Sequence, residues 1–300
     1  MKHLVSIHDL TDDAVRVLLD LADVMAKNRA GHKDDLDGRI VCTAFFEPST
    51  RTRLSFEAAA QRLGARVIGF SDPATTSSSK GETLEDTVRM LAGYADLIVM
   101  RHPKEGAALR AAKVSSVPMV NAGDGPGEHP TQTLVDLYTI QKERGGLKGL
   151  KVALVGDLKY GRTVHSLLPA LKRFGAKPVA VAAPGLELPA ELAKGVETAD
   201  LDSAAADADV LYVTRVQKER FADAAEYERV KLHLRVDADL LRRTQSKAIV
   251  MHPLPRVGEV DESVDATPAA KYFDQARNGV PVRMAVLASL LSGKLGANPA

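Results

Sequence analysis

The sequence predicts an α/β protein with two similar domains, each a parallel β-sheet flanked by helices. Three observations favour this class. Short apolar runs alternate with helical patterns along most of the chain, the alternation restarts after a glycine-rich segment at residues 145–149, and residues 282–295 place apolar side chains on one helical face. The 300 residues, 45% of them hydrophobic, suffice for two domains with apolar cores.

The first half of the chain alternates helices and strands. Helices are predicted near residues 12–27, 49–63, 82–94 and 107–113, and strands at residues 40–46, 66–70, 97–101 and 118–121. A longer helix at about 131–144 then enters the glycine-rich turn. We therefore place the first domain at residues 1–130 and a linker helix at residues 131–149.

The second half repeats the alternation. Strands are predicted at residues 151–155, 178–182, 210–214 and 248–251, with a helix at about 162–174 and further helices between the later strands. This second domain covers residues 150–281, and a C-terminal helix at residues 282–296 is expected to return and complete the first domain. Open parallel sheets bind ligands beyond the carboxyl ends of their strands, so we expect the site in a cleft between the domains.

Composition and charge exclude several classes of function. A formal net charge of +1 gives no general attraction to nucleic acid or to anionic membranes. No apolar run approaches the length of a membrane span, and the N-terminus turns polar too early for a secretory signal, so we expect a cytoplasmic protein. The single cysteine, Cys42, is expected to be a small buried hydrophobe. No histidine or cysteine cluster has metal-ligand spacing, so we predict no metal and no cofactor.

The segment Ser49-Thr50-Arg51-Thr52-Arg53 is the most informative in the chain. It follows an apolar strand and Pro48, at the point where a helix is predicted to begin. Helix N-termini bind anions through unpaired N–H groups, and the hydroxyls and Arg51 add further donors. An ordinary helix cap with solvated arginines is the alternative. Because two arginines so early in a helix oppose its dipole, we favour a phosphate site.

Three other polar segments also follow predicted strands: Arg101, the run His129-Pro130-Thr131-Gln132, and the run His252-Pro253-Leu254-Pro255. Each could be structural when considered alone, as an ion-pair partner, a turn histidine and a stiff loop respectively. No Ser-His-Asp or Cys-His arrangement is present to supply a protein nucleophile.

In this order and combination, the four motifs resemble those of the aspartate and ornithine carbamoyltransferase family. The resemblance covers nearly the whole chain and implies direct transfer of a carbamoyl group from carbamoyl phosphate to an amine. It implies that the phosphate is held by Ser49, Thr50, Arg51, Thr52 and Arg101. It also implies that Thr52, Arg101 and His129 contact the carbonyl oxygen, and that Gln132 and the Leu254 carbonyl hold the carbamoyl amide. The family's Leu-Pro peptide is cis, so the Leu254–Pro255 bond is expected to be cis.

Three further segments, at residues 157–166, 214–220 and 75–82, bear on the amine acceptor. Arg162, Arg215 and Gln217 follow strands of the second domain, and two arginines suit a substrate with two carboxylates. They resemble the aspartate branch, in which the matching residues bind L-aspartate together with Ser77, Lys80 and Pro255. Ornithine enzymes carry Ser-Met-Arg-Thr-Arg and His-Cys-Leu-Pro, where this chain has Thr50 and Pro253. The implied reaction yields N-carbamoyl-L-aspartate and phosphate in pyrimidine biosynthesis, with another amine such as ornithine as the alternative acceptor.

The resemblance also implies a homotrimer with shared active sites, in which Lys80 and a serine reach the site of a neighbouring subunit. The hydroxyl-rich loop at residues 75–82, called the serine loop below, is one residue shorter before Lys80 than in well-known bacterial members. The donated serine is therefore open among residues 77–79, with Ser77 favoured. Some members also assemble with regulatory chains or a dihydroorotase. Further family positions that bridge the domains on closure match Glu47, Lys159, Tyr160 and Arg220.

Two rival classes remain from the sequence. A dinucleotide oxidoreductase is suggested by Gly156-Asp157 after an apolar strand, but no Gly-x-Gly-x-x-Gly run follows. A catalytically inactive regulatory or scaffold chain is opposed by the intact set of Arg51, Arg101, His129, Arg162 and Arg215.

Overall fold

The computed structural model describes residues 2–216 and 233–292. The chain divides into two compact units, one formed by Met1–Tyr138 with the segment from Asn278, and the other by Thr139–Arg277. The described residues form one parallel sheet in each unit, flanked by helices. The predicted α/β class is confirmed.

The first unit has a four-stranded sheet in the order β2-β1-β3-β4, with every pair of neighbours parallel. Its elements are α1 (Asp12–Lys27), β1 (Ile40–Phe45), α2 (Thr50–Arg62), β2 (Arg66–Phe70), α3 (Leu84–Ala92), β3 (Leu97–His102), α4 (Ala107–Val114) and β4 (Met119–Asp124). The central strand β1 is buried from Val41 to Phe45, as expected for a parallel strand covered on both faces. Cys42 is fully buried in β1, as predicted, and burial raises the pKa of its thiol to about 12.

Local side chains explain two differences in element bounds. The predicted helix at 82–94 begins only at Leu84, because the Thr83 hydroxyl accepts a hydrogen bond from the Asp86 N–H and caps it. Strand β4 continues to Asp124 past the predicted end at residue 121. Its buried Asn121 amide donates to the Val5 carbonyl and to the Asp124 carboxylate, so these polar residues remain inside the sheet.

The second unit has a sheet in the order β7-β6-β5-β8-β9, again parallel. Helix α5 (Pro130–Arg144) leads into this unit, whose elements are β5 (Lys151–Val155), α6 (Arg162–Arg173), β6 (Lys177–Val181), α7 (Ala190–Ala193), β7 (Glu197–Thr198), α8 (Leu201–Asp207), β8 (Val210–Val213), α9 (Ala238–Arg243) and β9 (Ile249–Met251). The short edge strand β7 has no counterpart among the predicted strands, because a two-residue strand leaves no measurable alternation in the sequence.

The C-terminal helix α10 spans Tyr272–Ser292, so the predicted start at residue 282 is wrong. Pro281 lies inside the helix. A proline removes one backbone hydrogen bond and usually marks a helix boundary, which is why the sequence pattern placed the start after it. The predicted part beyond Ser292 lies outside the described residues. Within the described part of the chain, no helix combines the length and the apolar character needed to span a membrane.

Candidate active site

Helix α2 begins directly after β1 and Pro48, as the sequence predicted. Ser49 is its N-cap residue, with extended backbone, and its side chain makes no capping hydrogen bond. Thr50 and Arg51 are exposed, whereas Thr52 is buried, with 7% of its surface accessible. Three hydroxyls and the first N–H groups of the helix therefore lie together at the positive end of the helix dipole, an arrangement suited to an anion.

The two arginines of this turn have different surroundings. Arg53 forms an ion pair with Glu57 (Nη1···Oε1 3.1 Å), and Glu57 also accepts from the Thr43 hydroxyl at 3.1 Å. For Arg51, the part of the chain that the structure describes offers no carboxylate within ion-pair distance. Partial desolvation lowers the pKa of Arg51 below its usual value. An anion bound at the α2 N-terminus is the natural counter-charge for Arg51.

Arg101 lies on β3 beside the end of β1, because the strand register pairs it with Phe45. Its side chain is 11% exposed, and its Nη2 donates to Glu47 Oε1 at 2.5 Å. The register thus brings the Arg101 guanidinium to the loop that leads into α2. The sequence suggested Glu47 only as a residue that bridges the domains, whereas the structure shows it as the ion-pair partner of Arg101.

His129 follows β4 and is buried, with 4% of its surface accessible. Its Nδ1 lies 3.4 Å from the Thr131 hydroxyl, and its carbonyl accepts from the Gln132 N–H at 2.9 Å as α5 begins. The preceding loop is fixed by Glu128, whose carboxylate accepts from the Ser6 hydroxyl at 2.6 Å and from the Ile7 N–H at 3.0 Å. Sequence reasoning missed Glu128, since no local pattern links it to the N-terminal segment.

The serine loop follows β2 and includes a short 3₁₀ helix, Ser77–Lys80. Lys80 is exposed and, among the described residues, has no carboxylate partner. The Ser79 hydroxyl donates to the Thr76 carbonyl at 2.7 Å. The hydroxyls of Ser77 and Ser78 make no hydrogen bond within the described part of the chain. All four strands of this sheet therefore carry predicted site residues at or just beyond their carboxyl ends.

In the second unit, the predicted site residues follow three neighbouring strands. Arg162 is the first residue of α6, after β5, and Arg215 lies exposed two residues after β8. At Gly156 (φ +122°), a Cβ would lie 2.4 Å from the Thr214 carbonyl oxygen, so only glycine allows the ends of β5 and β8 to approach this closely. Gln217 lies outside the described residues.

Leu254 and Pro255 follow β9, which neighbours β8. The Leu254–Pro255 peptide is cis, as predicted, and Leu254 has a positive φ of 58°. The Leu254 N–H donates to Nδ1 of the buried His252 at 2.8 Å, while His252 Nε2 lies 2.8 Å from Glu259 Oε1. Because Nδ1 accepts, Nε2 carries the proton and donates it to Glu259. A buried dyad thus holds the backbone at Leu254.

Comparison with family models identifies both halves of the chain. Residues 2–142 match the carbamoyl-P binding domain of aspartate/ornithine carbamoyltransferase, and residues 148–290 match its Asp/Orn binding domain. The chain belongs to the aspartate/ornithine carbamoyltransferase family. The resemblance inferred from the motifs is thereby confirmed, and membership replaces the dinucleotide-oxidoreductase alternative.

Relatives at about half identity are similar over their full length. The aspartate carbamoyltransferase catalytic subunit of Methanococcus vannielii is 51% identical, over 98% of this chain and 99% of its own length. The catalytic subunit of Thermoplasma acidophilum is 50% identical, over 97% of this chain and 98% of its own length. Both names specify aspartate and not ornithine.

Solved structures show the same similarity. The catalytic subunit of M. jannaschii aspartate transcarbamoylase superposes with a TM-score of 0.92 at 49% identity, covering 99% of this chain and 100% of that one. The Trypanosoma cruzi enzyme, crystallised with N-(phosphonacetyl)-L-aspartic acid, gives a TM-score of 0.88 at 42% identity, covering 96% of this chain and 95% of that one. Another crystal structure of the T. cruzi enzyme contains carbamoyl phosphate and aspartate.

Proposed function

We propose that this chain is an aspartate carbamoyltransferase, which transfers the carbamoyl group of carbamoyl phosphate to the amino group of L-aspartate. The products are N-carbamoyl-L-aspartate and phosphate, in a step of pyrimidine biosynthesis in the cytoplasm. The observation that carries the proposal is the N-terminus of α2, where Arg51 has no carboxylate partner among the described residues, in a chain 51% identical to a named enzyme.

The phosphate group is assigned to the first domain, taken as residues 1–130 completed by residues 282–296. There the N-terminus of α2 supplies N–H groups, and the side chains that bind phosphate are Ser49, Thr50, Arg51, Thr52 and Arg101. Charge-assisted hydrogen bonds from guanidinium groups are about twice as strong as neutral ones, so the two arginines contribute most of the affinity. Lys80 adds a third positive charge.

Transfer proceeds by direct attack of the aspartate amine on the carbamoyl carbon. As the C–N bond forms, negative charge develops on the carbonyl oxygen, and donors from Thr52, Arg101 and His129 stabilise it. One such donor typically contributes about 3 kcal/mol. The C–O bond to phosphate then breaks, phosphate leaves with the electron pair, and an oxygen of the leaving phosphate accepts the proton that the attacking nitrogen loses. Gln132 and the Leu254 carbonyl accept hydrogen bonds from the carbamoyl NH₂ group.

L-Aspartate is assigned to the second domain, taken as residues 150–281. Arg162 and Arg215 lie just after the adjacent strands β5 and β8, which supports their pairing with the two carboxylates of one substrate. Ser77, Lys80, Gln217 and the backbone at Pro255 complete the acceptor site. The reaction needs no metal or cofactor, because charge stabilisation comes from these side chains.

The active form is proposed to be a homotrimer in which the serine loop of one subunit completes the site of the next. Support comes from the exposed Lys80 and the Ser77 hydroxyl, which has no hydrogen bond among the described residues. Ser79 is a weaker candidate for donation because its hydroxyl is occupied by Thr76. Some members of the family also assemble with regulatory chains or a dihydroorotase. We also propose that the two domains are bridged on closure by Glu47, Lys159, Tyr160 and Arg220.

The test is the choice of acceptor by the purified chain. With carbamoyl phosphate present, we expect turnover of L-aspartate and none of L-ornithine or L-asparagine, since an acceptor lacking the second carboxylate forms one charge-assisted pair fewer with the two arginines. Arg215→Ala should raise the KM for aspartate far more than the KM for carbamoyl phosphate. Comparable turnover of ornithine would refute the dicarboxylate site, and absence of turnover with every acceptor would refute carbamoyl transfer.

A further inference from the structure

Gln132 donates a hydrogen bond to a buried carboxylate one helical turn further along α5. Its Nε2 lies 2.8 Å from Oδ1 of Asp136. Asp136 has no accessible surface, whereas Gln132 is partly exposed. The two side chains therefore join the interior of the first unit to the site at the start of α5.

A buried arginine supplies a positive charge that acts on this carboxylate. Arg283 of α10 is 4% exposed, and its guanidinium lies over the Phe56 ring, with Cζ 5.0 Å from the ring centre. Burial lowers the pKa of Arg283 to about 10, with the negative charge of Asp136 acting in the opposite direction. Arg283 thus remains protonated at neutral pH, and a neighbouring positive charge favours the ionised form of Asp136.

An ionised carboxylate only accepts hydrogen bonds, so it dictates which end of the Gln132 amide faces it. The NH₂ group must point toward Asp136, and the Oε1 atom must then lie at the other end of the amide. With either neutral partner, amide or hydroxyl, both orientations of Gln132 would be possible. Asp136 removes that freedom.

We propose that Asp136 is a positioning residue that fixes the amide of Gln132 so that its oxygen, and not its NH₂ group, faces the ligand. The inference rests on the proposed function, in which Gln132 binds the carbamoyl NH₂ group. Its consequence is ligand discrimination. A ligand with an NH₂ group at this position donates to Oε1, whereas a methyl group leaves Oε1 without a donor, a loss that typically reduces binding about tenfold.

Two stable ligands isolate this effect, because phosphonoacetamide and phosphonoacetone differ only by NH₂ against CH₃. Their dissociation constants and that of inorganic phosphate are measured by calorimetry on the full chain. The wild-type protein should prefer phosphonoacetamide by about tenfold or more. Asp136→Asn should reduce this preference to about threefold or less, because asparagine either donates or accepts. Its affinity for phosphonoacetone and for phosphate should stay within about twofold of wild type.

Control variants separate positioning from loss of stability. Gln132→Met should reduce the preference to about threefold or less, because only the Leu254 carbonyl is then left to accept from the NH₂ group. Met25→Ala, which creates a cavity in the buried face of α1, should lower the melting temperature and leave the preference unchanged. If Asp136→Asn does not fold, the double variant Asp136→Asn/Arg283→Met removes both buried charges together and should also lose the preference.

Three results would overturn the inference. One is an unchanged preference in Asp136→Asn, or in the double variant if that is the one that folds. Another is an equal weakening of phosphonoacetamide, phosphonoacetone and phosphate. The third is failure of the wild-type protein to bind any of the three, which would remove the proposed phosphate site as well. In the first two cases only the positioning role of Asp136 fails and the proposed function survives. Failure of the inference is therefore distinguishable from failure of the proposed function.

Discussion

His252 Nε2 donates a hydrogen bond to Glu259 Oε1 at 2.8 Å, and the two side chains are only 1% and 2% exposed. Both carboxylate oxygens of Glu259 also accept from the Val257 N–H, at 3.1 Å each. Burial opposes ionisation of Glu259, but the hydrogen bonds that its carboxylate accepts from His252 and from the Val257 N–H outweigh it, so the pKa of Glu259 lies below 4.5. The dyad therefore holds a charged carboxylate behind the loop that carries Leu254.

Glu259→Gln should lower the free energy of unfolding at pH 7 by about 1–3 kcal/mol, because the amide NH₂ would face a backbone or imidazole donor. The depressed pKa stabilises the fold above pH 4.5, and this contribution is lost as the pH falls through the folded-state pKa. Denaturant titrations of both proteins should thus show a difference in the free energy of unfolding at pH 7, and this difference should become smaller below pH 4.5. A difference in the free energy of unfolding that does not change with pH would contradict an ionised Glu259.

Arg51 and Arg53 form a matched pair of variants on one helical turn. Arg51→Ala should reduce kcat/KM for carbamoyl phosphate by about thirtyfold or more, equivalent to about 2 kcal/mol, because its guanidinium is free to bind phosphate. Arg53→Ala should have a much smaller effect on kcat/KM, since Arg53 is paired with Glu57. The measurement is kcat/KM for carbamoyl phosphate by steady-state kinetics. Equal effects of the two substitutions would show that Arg51 does not bind the phosphate.

Glu47→Ala tests the ion pair with Arg101. The variant should be less stable by about 3 kcal/mol, because it leaves a largely buried guanidinium without this carboxylate. Phosphate should then raise the melting temperature of the variant more than that of the wild type, since the bound anion replaces the lost charge. Thermal melts over a range of phosphate concentrations give the comparison. An equal phosphate-induced shift in both proteins would show that Arg101 does not contact the anion.

Shared active sites can be tested by complementation. Lys80→Ala and Arg101→Ala chains should each be nearly inactive, but a reassembled equal mixture should recover activity at about one site in four, where an intact Arg101 meets an intact donated Lys80. A mixture of Lys113→Ala with Arg101→Ala serves as control and should show the activity of its Lys113→Ala chains. No recovery in mixed trimers would mean that Lys80 does not act across subunits.

Cys42 should be inert in the folded protein. Its pKa of about 12 leaves almost no thiolate at pH 8, and the side chain is fully buried. A disulfide reagent should therefore modify Cys42 only through unfolding, so the modification rate should rise with denaturant in parallel with the unfolding rate. Rapid modification without denaturant would contradict this description of β1.

Periodicity and turn residues predicted most of the strands and helices, since they depend on neighbours within a few positions in the chain. The start of α10 was not predictable in this way. Pro281 lies inside the helix, and tertiary packing next to it stabilises the helix despite the lost hydrogen bond, as in the contact of the buried Arg283 with Phe56. Local propensity favours a break at the proline, and packing overrides it.

The sequence by itself determined the two-part α/β fold, the family and the residues proposed to bind carbamoyl phosphate, because these follow from apolar periodicity and from motifs of adjacent residues. Only the tertiary structure decided the partners of those residues. Glu47 meets Arg101 through the register of β1 and β3, and the charge of Asp136 acts on Arg283 across 147 positions of the chain. The physical reason is that charge pairing and burial depend on distances set by packing, which no local pattern encodes.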